Sequence, residues 1–132
     1  MLYIYSIVVV QMDVKEFLRN RCPIRDTVEI INRKWALILL WDMFNGYGHF
    51  SEFKEVNPDI SNNVLSDTLK FLIEHGLVVK VSDESGSEYV LTRQGRSLNR
   101  VMYELGVYGI RESVYDGYGE EIEEYFREIF GV

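Results

Sequence analysis

The spacing of apolar positions changes several times along the chain, and each change marks an element. LYIYSIVVV, residues 2–10, is a continuous apolar run rich in Val, Ile and Tyr, which predicts a strand. VKEFLRN after it carries only a short, weak helical pattern. At Cys22-Pro23 a helix is expected to begin, because proline fits the first helical position. Ile24, Val28 and Ile31 then recur at helical spacing. Asn32-Arg33-Lys34 interrupts the pattern, and WALILLWDMF follows as an almost wholly apolar helix, the expected centre of the core. Asn45-Gly46 stops it.

In HFSEFKEVNPDISNNVLSDTLKFLIEHG the period is helical twice over. Ser51 is expected to cap a short helix that Phe53 and Val56 pin inward. Asn57-Pro58-Asp59 ends it, because proline lacks the amide and biases the residue before it away from helical geometry. Ser61 caps a second helix, with Ile60 and Leu65 placed for a hydrophobic staple, and Gly76 ends it. Two helices around a four-residue turn form a helix-turn-helix arrangement. LVVKVSDESGSEYVLT then reads as a β-hairpin. Thr92 is expected to cap one continuous helix, RQGRSLNRVMYELGVYG, with Leu98, Val101/Met102 and Leu105 as its stripe. EEIEEYFREIF sets Ile122, Tyr125/Phe126 and Ile129 opposite glutamates. No internal repeat is present.

Composition adds bounds rather than elements. With 132 residues, 47% hydrophobic and 27% charged, the chain has the size and content of one globular domain. A single cysteine excludes an internal disulfide and fits a reducing compartment. The longest apolar run is too short to span a bilayer as a helix and lacks the basic start and cleavage site of a signal peptide, so a cytoplasmic location is expected and no membrane partner. If Met12 is the true start, the strand at 2–10 is incidental.

A net charge of −7 argues against a polyanionic partner until its distribution is considered. Residues 111–132 hold seven acids against Arg111 and Arg127, a net −5, whereas residues 15–34 hold six bases against three acids. The bulk value therefore conceals segregation.

The second helix of the pair carries the candidate chemistry. Val64, Leu65, Leu69, Leu72 and Ile73 are expected inward, leaving Asn62, Asn63, Ser66, Asp67 and Lys70 outward. Amides, hydroxyls and a lysine on one stripe are groups that reach base edges and phosphates in a major groove. The alternative is a merely solvated face, which the hairpin that follows makes less attractive: three helices and then a two-stranded wing is the winged-helix order.

CPIRDTVEIINRKWALILLWDMFNG, HFSEFKE, ISNNVLSDTLKFLIEHGLV and EYVLTRQGRSL, in that order, resemble the HxlR-type winged helix-turn-helix transcriptional regulators. The resemblance runs from about Cys22 to Gly109. It implies a fold that is mainly α with a small β-wing, dimerising through terminal helices. Three parts are expected: residues 1–21, an N-terminal strand and short helical extension; 22–92, the DNA-binding domain; and 93–132, the dimerisation helices. It also implies a homodimer on a pseudo-palindromic operator, acting as a repressor, with the helix from Ser61 reading double-stranded DNA.

The candidate DNA contacts are Ser61, Asn62, Asn63, Ser66 and Lys70 on that helix, Ser51 and Lys54 on the one before it, Arg93 and Arg96 after the wing, and Lys34. This recognition helix has Asn62, Asn63 and Asp67 where the family usually carries more Gln, Lys or Arg, and the wing segment SDESGSE has three acids and no base. Those departures keep a second reading open, a winged helix turned protein-interaction module.

Cys22 lies at a helix start between Arg21 and Arg25, surroundings that favour a thiolate, and some relatives use a cysteine placed this way to sense oxidants or electrophiles. It is a candidate redox sensor; the alternative is an inert buried thiol. His49, His75 and Cys22 lack metal-ligand spacing, and no phosphate loop or catalytic constellation is present, so no metal, no cofactor and no enzyme activity are expected. The sequence specifies no effector. The C-terminal stripes (Leu98, Met102, Leu105, Tyr108, Ile122, Phe126, Ile129) are expected to be buried against a two-fold copy; the alternative is that the last helix folds back on its own domain.

Overall fold

The structure, a computed structural model, describes residues 13–112 and 119–132. The strand expected at 2–10 and the segment before Met12 lie outside the described residues. The backbone forms two compact units, Met1–Lys34 and Trp35–Val132. The wing and the terminal helices both lie in the second unit.

In the first unit α1 covers 13–20 and α2 covers Pro23–Ile31. Cys22 is the N-cap of α2 in extended backbone, and its carbonyl accepts from the Asp26 amide at 2.9 Å. Pro23 occupies the first turn, where its missing amide costs nothing. No side chain of α2 is fully buried, and Val14, Phe17, Leu18, Ile24 and Val28 are all exposed.

The second unit is built on α3 (Lys34–Phe44), which buries Ala36, Leu39, Leu40 and Met43. After it come α4 (Phe50–Val56), α5 (Asn62–Glu74), β1 (Val78–Asp83), β2 (Gly86–Leu91), α6 (Arg93–Arg96), α7 (Asn99–Glu112) and α8 (Gly119–Phe130). The core joins α3 to Phe53, Ile60, Leu65, Leu69, Leu72 and Val78, each at most 2% exposed. β1 and β2 pair antiparallel, Val78 opposite Leu91 and Asp83 opposite Gly86, with Gly86 at φ +125° closing the tight turn. Gly48 extends the wing on its other side, its carbonyl accepting from the Tyr89 amide at 2.8 Å.

Two expected details are corrected. The N-cap of α4 is His49 rather than Ser51. The Glu52 carboxylate reaches back to the amides of His49 (2.9 Å) and Gly48 (3.2 Å), which fixes the helix start one turn before Glu52 and holds its carboxyl below the usual range. Ser51 is left exposed inside the helix, and Val56 is 40% exposed while Phe53 is fully buried. The single helix expected after Thr92 is two. Thr92 does cap α6, accepting from the Gly95 amide at 3.0 Å. Then the Ser97 hydroxyl bonds back to the Arg93 carbonyl and the Leu98 amide takes the tighter Gly95 carbonyl, so the chain turns before α7 starts.

Gly95 explains that geometry. A Cβ there would stand 2.1 Å from the Leu77 carbonyl oxygen, so only glycine lets α6 lie against the start of the wing. The Thr92 hydroxyl donates to the Gly76 carbonyl at 2.6 Å from the same place.

The last helix folds back on its own chain. Phe126 meets Trp41 edge-on at 5.4 Å, Phe130 packs between Trp41 and Phe44, and Asn99 donates to the Phe130 carbonyl at 2.7 Å. Gly106 leaves room for the Phe126 ring, which a Cβ would meet at 2.5 Å.

Candidate nucleic-acid interface

The helix pair is set by its caps. Ser61 accepts from the Val64 amide at 3.1 Å and starts α5; Ile60 and Leu65 on either side are both buried, as a staple across the cap requires. The inward face is Leu65, Thr68, Leu69 and Leu72. It differs from the expected set at three residues. Val64 and Ile73 are 40% and 38% exposed, while Thr68 turns inward because its hydroxyl satisfies itself on the Val64 carbonyl at 2.7 Å.

The outer face matches expectation. Ser61, Asn62, Asn63, Ser66, Asp67 and Lys70 are all exposed, and the side chains of Asn62, Asn63, Ser66 and Lys70 make no hydrogen bond within the described residues. The first amides of α5 add donors and partial positive charge at the same end. A stripe of amide, hydroxyl and ammonium groups standing clear of the protein can meet base edges and phosphates without first breaking internal contacts.

The basic candidates divide. Lys70 and Arg93 are exposed. Lys54 is half-buried and turns inward, its ammonium donating to the Ile60 carbonyl at 2.6 Å. Arg96 donates back to the Leu91 carbonyl at 2.8 Å. Lys34 is exposed and belongs to the first unit. Lys80, absent from the expected set, stands on β1 with its ammonium 5.6 Å from the Tyr89 ring and gives the wing one cation. In the wing, bonds from the Ser85 hydroxyl and amide hold Asp83 below the usual carboxylate range.

Sequence reasoning also missed Asp42 and Asn57. Asp42 is 6% exposed near the end of α3, and Asn57 Nδ2 donates to its Oδ2 at 2.7 Å. Desolvation pushes the Asp42 carboxyl up, only partly offset by that bond. The pair is invisible to helical periodicity, which merely makes Asp42 an interruption in an apolar run.

Of the residues expected at a dimer contact, Met102 is buried within the chain and Leu98, Ile122, Phe126 and Ile129 are half-buried. Leu105 and Tyr108 are 49% and 70% exposed. Leu105 borders an apolar groove of about 530 Å³ between α3, α7 and α8. Cys22 is half-buried at its cap. Among the described residues no helix is long and apolar enough to cross a membrane.

Residues 30–114 match the model of the HxlR-like helix-turn-helix family. The HTH-type transcriptional regulator YybR of Bacillus subtilis is 32% identical over 94 residues, covering 69% of this chain and 75% of that protein. YdeP of the same organism is 33% identical over 91 residues, covering 67% and 71%. Among solved structures, the redox regulator HypR in its oxidized form superposes with a TM-score of 0.64 at 31% identity, over 73% of this chain and all of that one.

Proposed function

The chain belongs to the HxlR-like helix-turn-helix family of DNA-binding transcription regulators, and we propose that it acts as a homodimeric repressor on a pseudo-palindromic operator, read through α5. The observation that carries this reading is the unengaged polar stripe at the N-terminal end of α5. Asn62, Asn63 and Ser66 make base contacts in the major groove, while Lys70 and Arg93 hold phosphates. Lys80 supplies a further phosphate contact from the wing. With so few cations, binding is modest and salt-sensitive, each neutralised phosphate adding about 0.9 to the salt slope.

The dimer forms through α7, with Leu105 and Tyr108 from each copy at its centre. Cys22 tunes it: oxidation of the thiol at the start of α2 alters the geometry of the pair, in keeping with the redox regulator among the structural neighbours.

Footprinting of the DNA upstream of the protein's own gene tests the reading. Two protected half-sites one helical turn apart, about 34–36 Å, or a multiple of that, are expected. A single unpaired footprint contradicts the two-fold part.

One observation favours a second reading, a protein-interaction module. The outer face of the wing presents Val79, Val81 and Val90, all exposed, beside Asp83 and Glu88, a surface unsuited to phosphate. Under that reading, no DNA fragment is retarded even in low salt.

A further inference from the structure

The polar contact between α3 and the turn of the helix pair has no part in the DNA contacts proposed above. Asp42 lies in the last turn of α3, buried, with no ion pair to it among the described residues. A carboxylate there is desolvated and faces the negative end of the helix dipole, so stability alone does not account for it. Its side-chain partner is the neutral amide of Asn57 at 2.7 Å.

Asn57 is where α4 ends. Its Nδ2 also donates to the Phe53 carbonyl at 3.0 Å, and its own carbonyl accepts from the Ile60 amide at 3.1 Å. The Ile60 carbonyl takes the Lys54 ammonium, the Ile60 side chain is buried, and the next residue is the cap of α5. An unbroken series of bonds therefore runs from α3 across Pro58-Asp59 to the first turn of the recognition helix.

We propose that Asp42 and Asn57 are positioning residues: their contact fixes the turn, and thereby the register in which Asn62 and Asn63 meet a duplex. The consequence for DNA rests on the regulator reading; the rigidity of the turn does not. The contact touches no DNA, so its loss acts on discrimination between sequences and leaves the phosphate-driven, sequence-independent part of binding in place.

The test uses the full chain with Asp42→Asn, which keeps an acceptor, and Asp42→Leu, which keeps the branched outline and removes it. Amide hydrogen exchange and anisotropy with an upstream duplex and a scrambled one are the two readouts. Asp42→Asn is expected to match the wild type in both. Asp42→Leu is expected to speed exchange at the Ile60 amide by about tenfold, with the Leu39 and Leu40 amides still protected, and to weaken upstream binding about tenfold with scrambled binding unchanged. Wild-type exchange at Ile60 in Asp42→Leu overturns the proposal. Faster exchange with undiminished upstream affinity overturns its register part. If the wild type binds neither duplex, the regulator reading fails and Ile60 exchange still decides the rigidity of the turn. Should Asp42→Leu not fold, Asn57→Ala breaks the same contact from the other side and is read the same way.

Discussion

Lys54 on α4 reaches over the turn and donates its ammonium to the carbonyl of Ile60, 2.6 Å away, the residue just before the cap of α5. A lysine that pattern alone assigns to the DNA backbone is thus a clamp within the motif. The contact is half-buried and charge-assisted, the class of hydrogen bond that contributes about 1.5–3 kcal/mol.

Lys54 and Lys70 are therefore expected to separate. Lys54→Met lowers stability by about 1–3 kcal/mol in urea unfolding and leaves the salt slope of DNA binding unchanged. Lys70→Met leaves stability within about 0.5 kcal/mol and lowers that slope by about 0.9. The reverse pattern would return Lys54 to the phosphate contacts.

Asp42 makes a pH-dependent contribution whose sign is fixed by its surroundings. Burial raises its carboxyl above the ordinary value more than the Asn57 bond lowers it. The native state therefore favours the protonated form, and stability is lost as pH rises from the ordinary aspartate value of about 3.9 through the raised one. Asp42→Asn removes that loss. Its Tm is expected to exceed the wild-type Tm by a few degrees at pH 7, with the gap closing as pH falls toward 3. A gap that widens on acidification would reverse the assignment.

Leu105 and Tyr108 are exposed enough to be changed without harming the subunit. Leu105→Glu with Tyr108→Glu is expected to raise the dimer dissociation constant at least about a hundredfold in sedimentation equilibrium, with circular dichroism unchanged. An unaltered dimer would move the interface elsewhere.

For Cys22, mild peroxide is expected to shift operator affinity several-fold in the wild type, and reductant to restore it unless the thiol has passed beyond the sulfenic or disulfide stage. Cys22→Ser should bind as the reduced protein does and ignore peroxide. An equal response in both proteins assigns the sensitivity to another residue.

The parts of the fold visible in the sequence were those that local chemistry decides. Ser61 and Thr92 cap their helices because a hydroxyl before a helical run has few other uses. Pattern alone puts the start of α4 too late because Glu52 outcompetes Ser51: a carboxylate binding two backbone amides sets the cap from inside the helix. The outer stripe of α5 followed from period, yet Val64 and Thr68 exchanged places, since a threonine that bonds its own helix can be buried. Lys54, Arg96 and the Asp42–Asn57 contact were beyond reach, because composition places a charge on a surface and only tertiary structure shows where its atoms go. The terminal stripes were ambiguous for a related reason. The same apolar face serves a partner or its own core, and the edge-on contact with Trp41 decides it for Phe126.

The central claim, that the exposed tip of α5 reads DNA, is tested most directly by anisotropy titration of wild type and Asn63→Ala against the upstream duplex at about 50 mM and about 200 mM salt. The wild type is expected to bind the duplex and weaken steeply between the two, and Asn63→Ala to bind about 1–3 kcal/mol less tightly at both with its fold intact. Equal affinity for the two proteins, or no binding by the wild type at the lower salt, would contradict it.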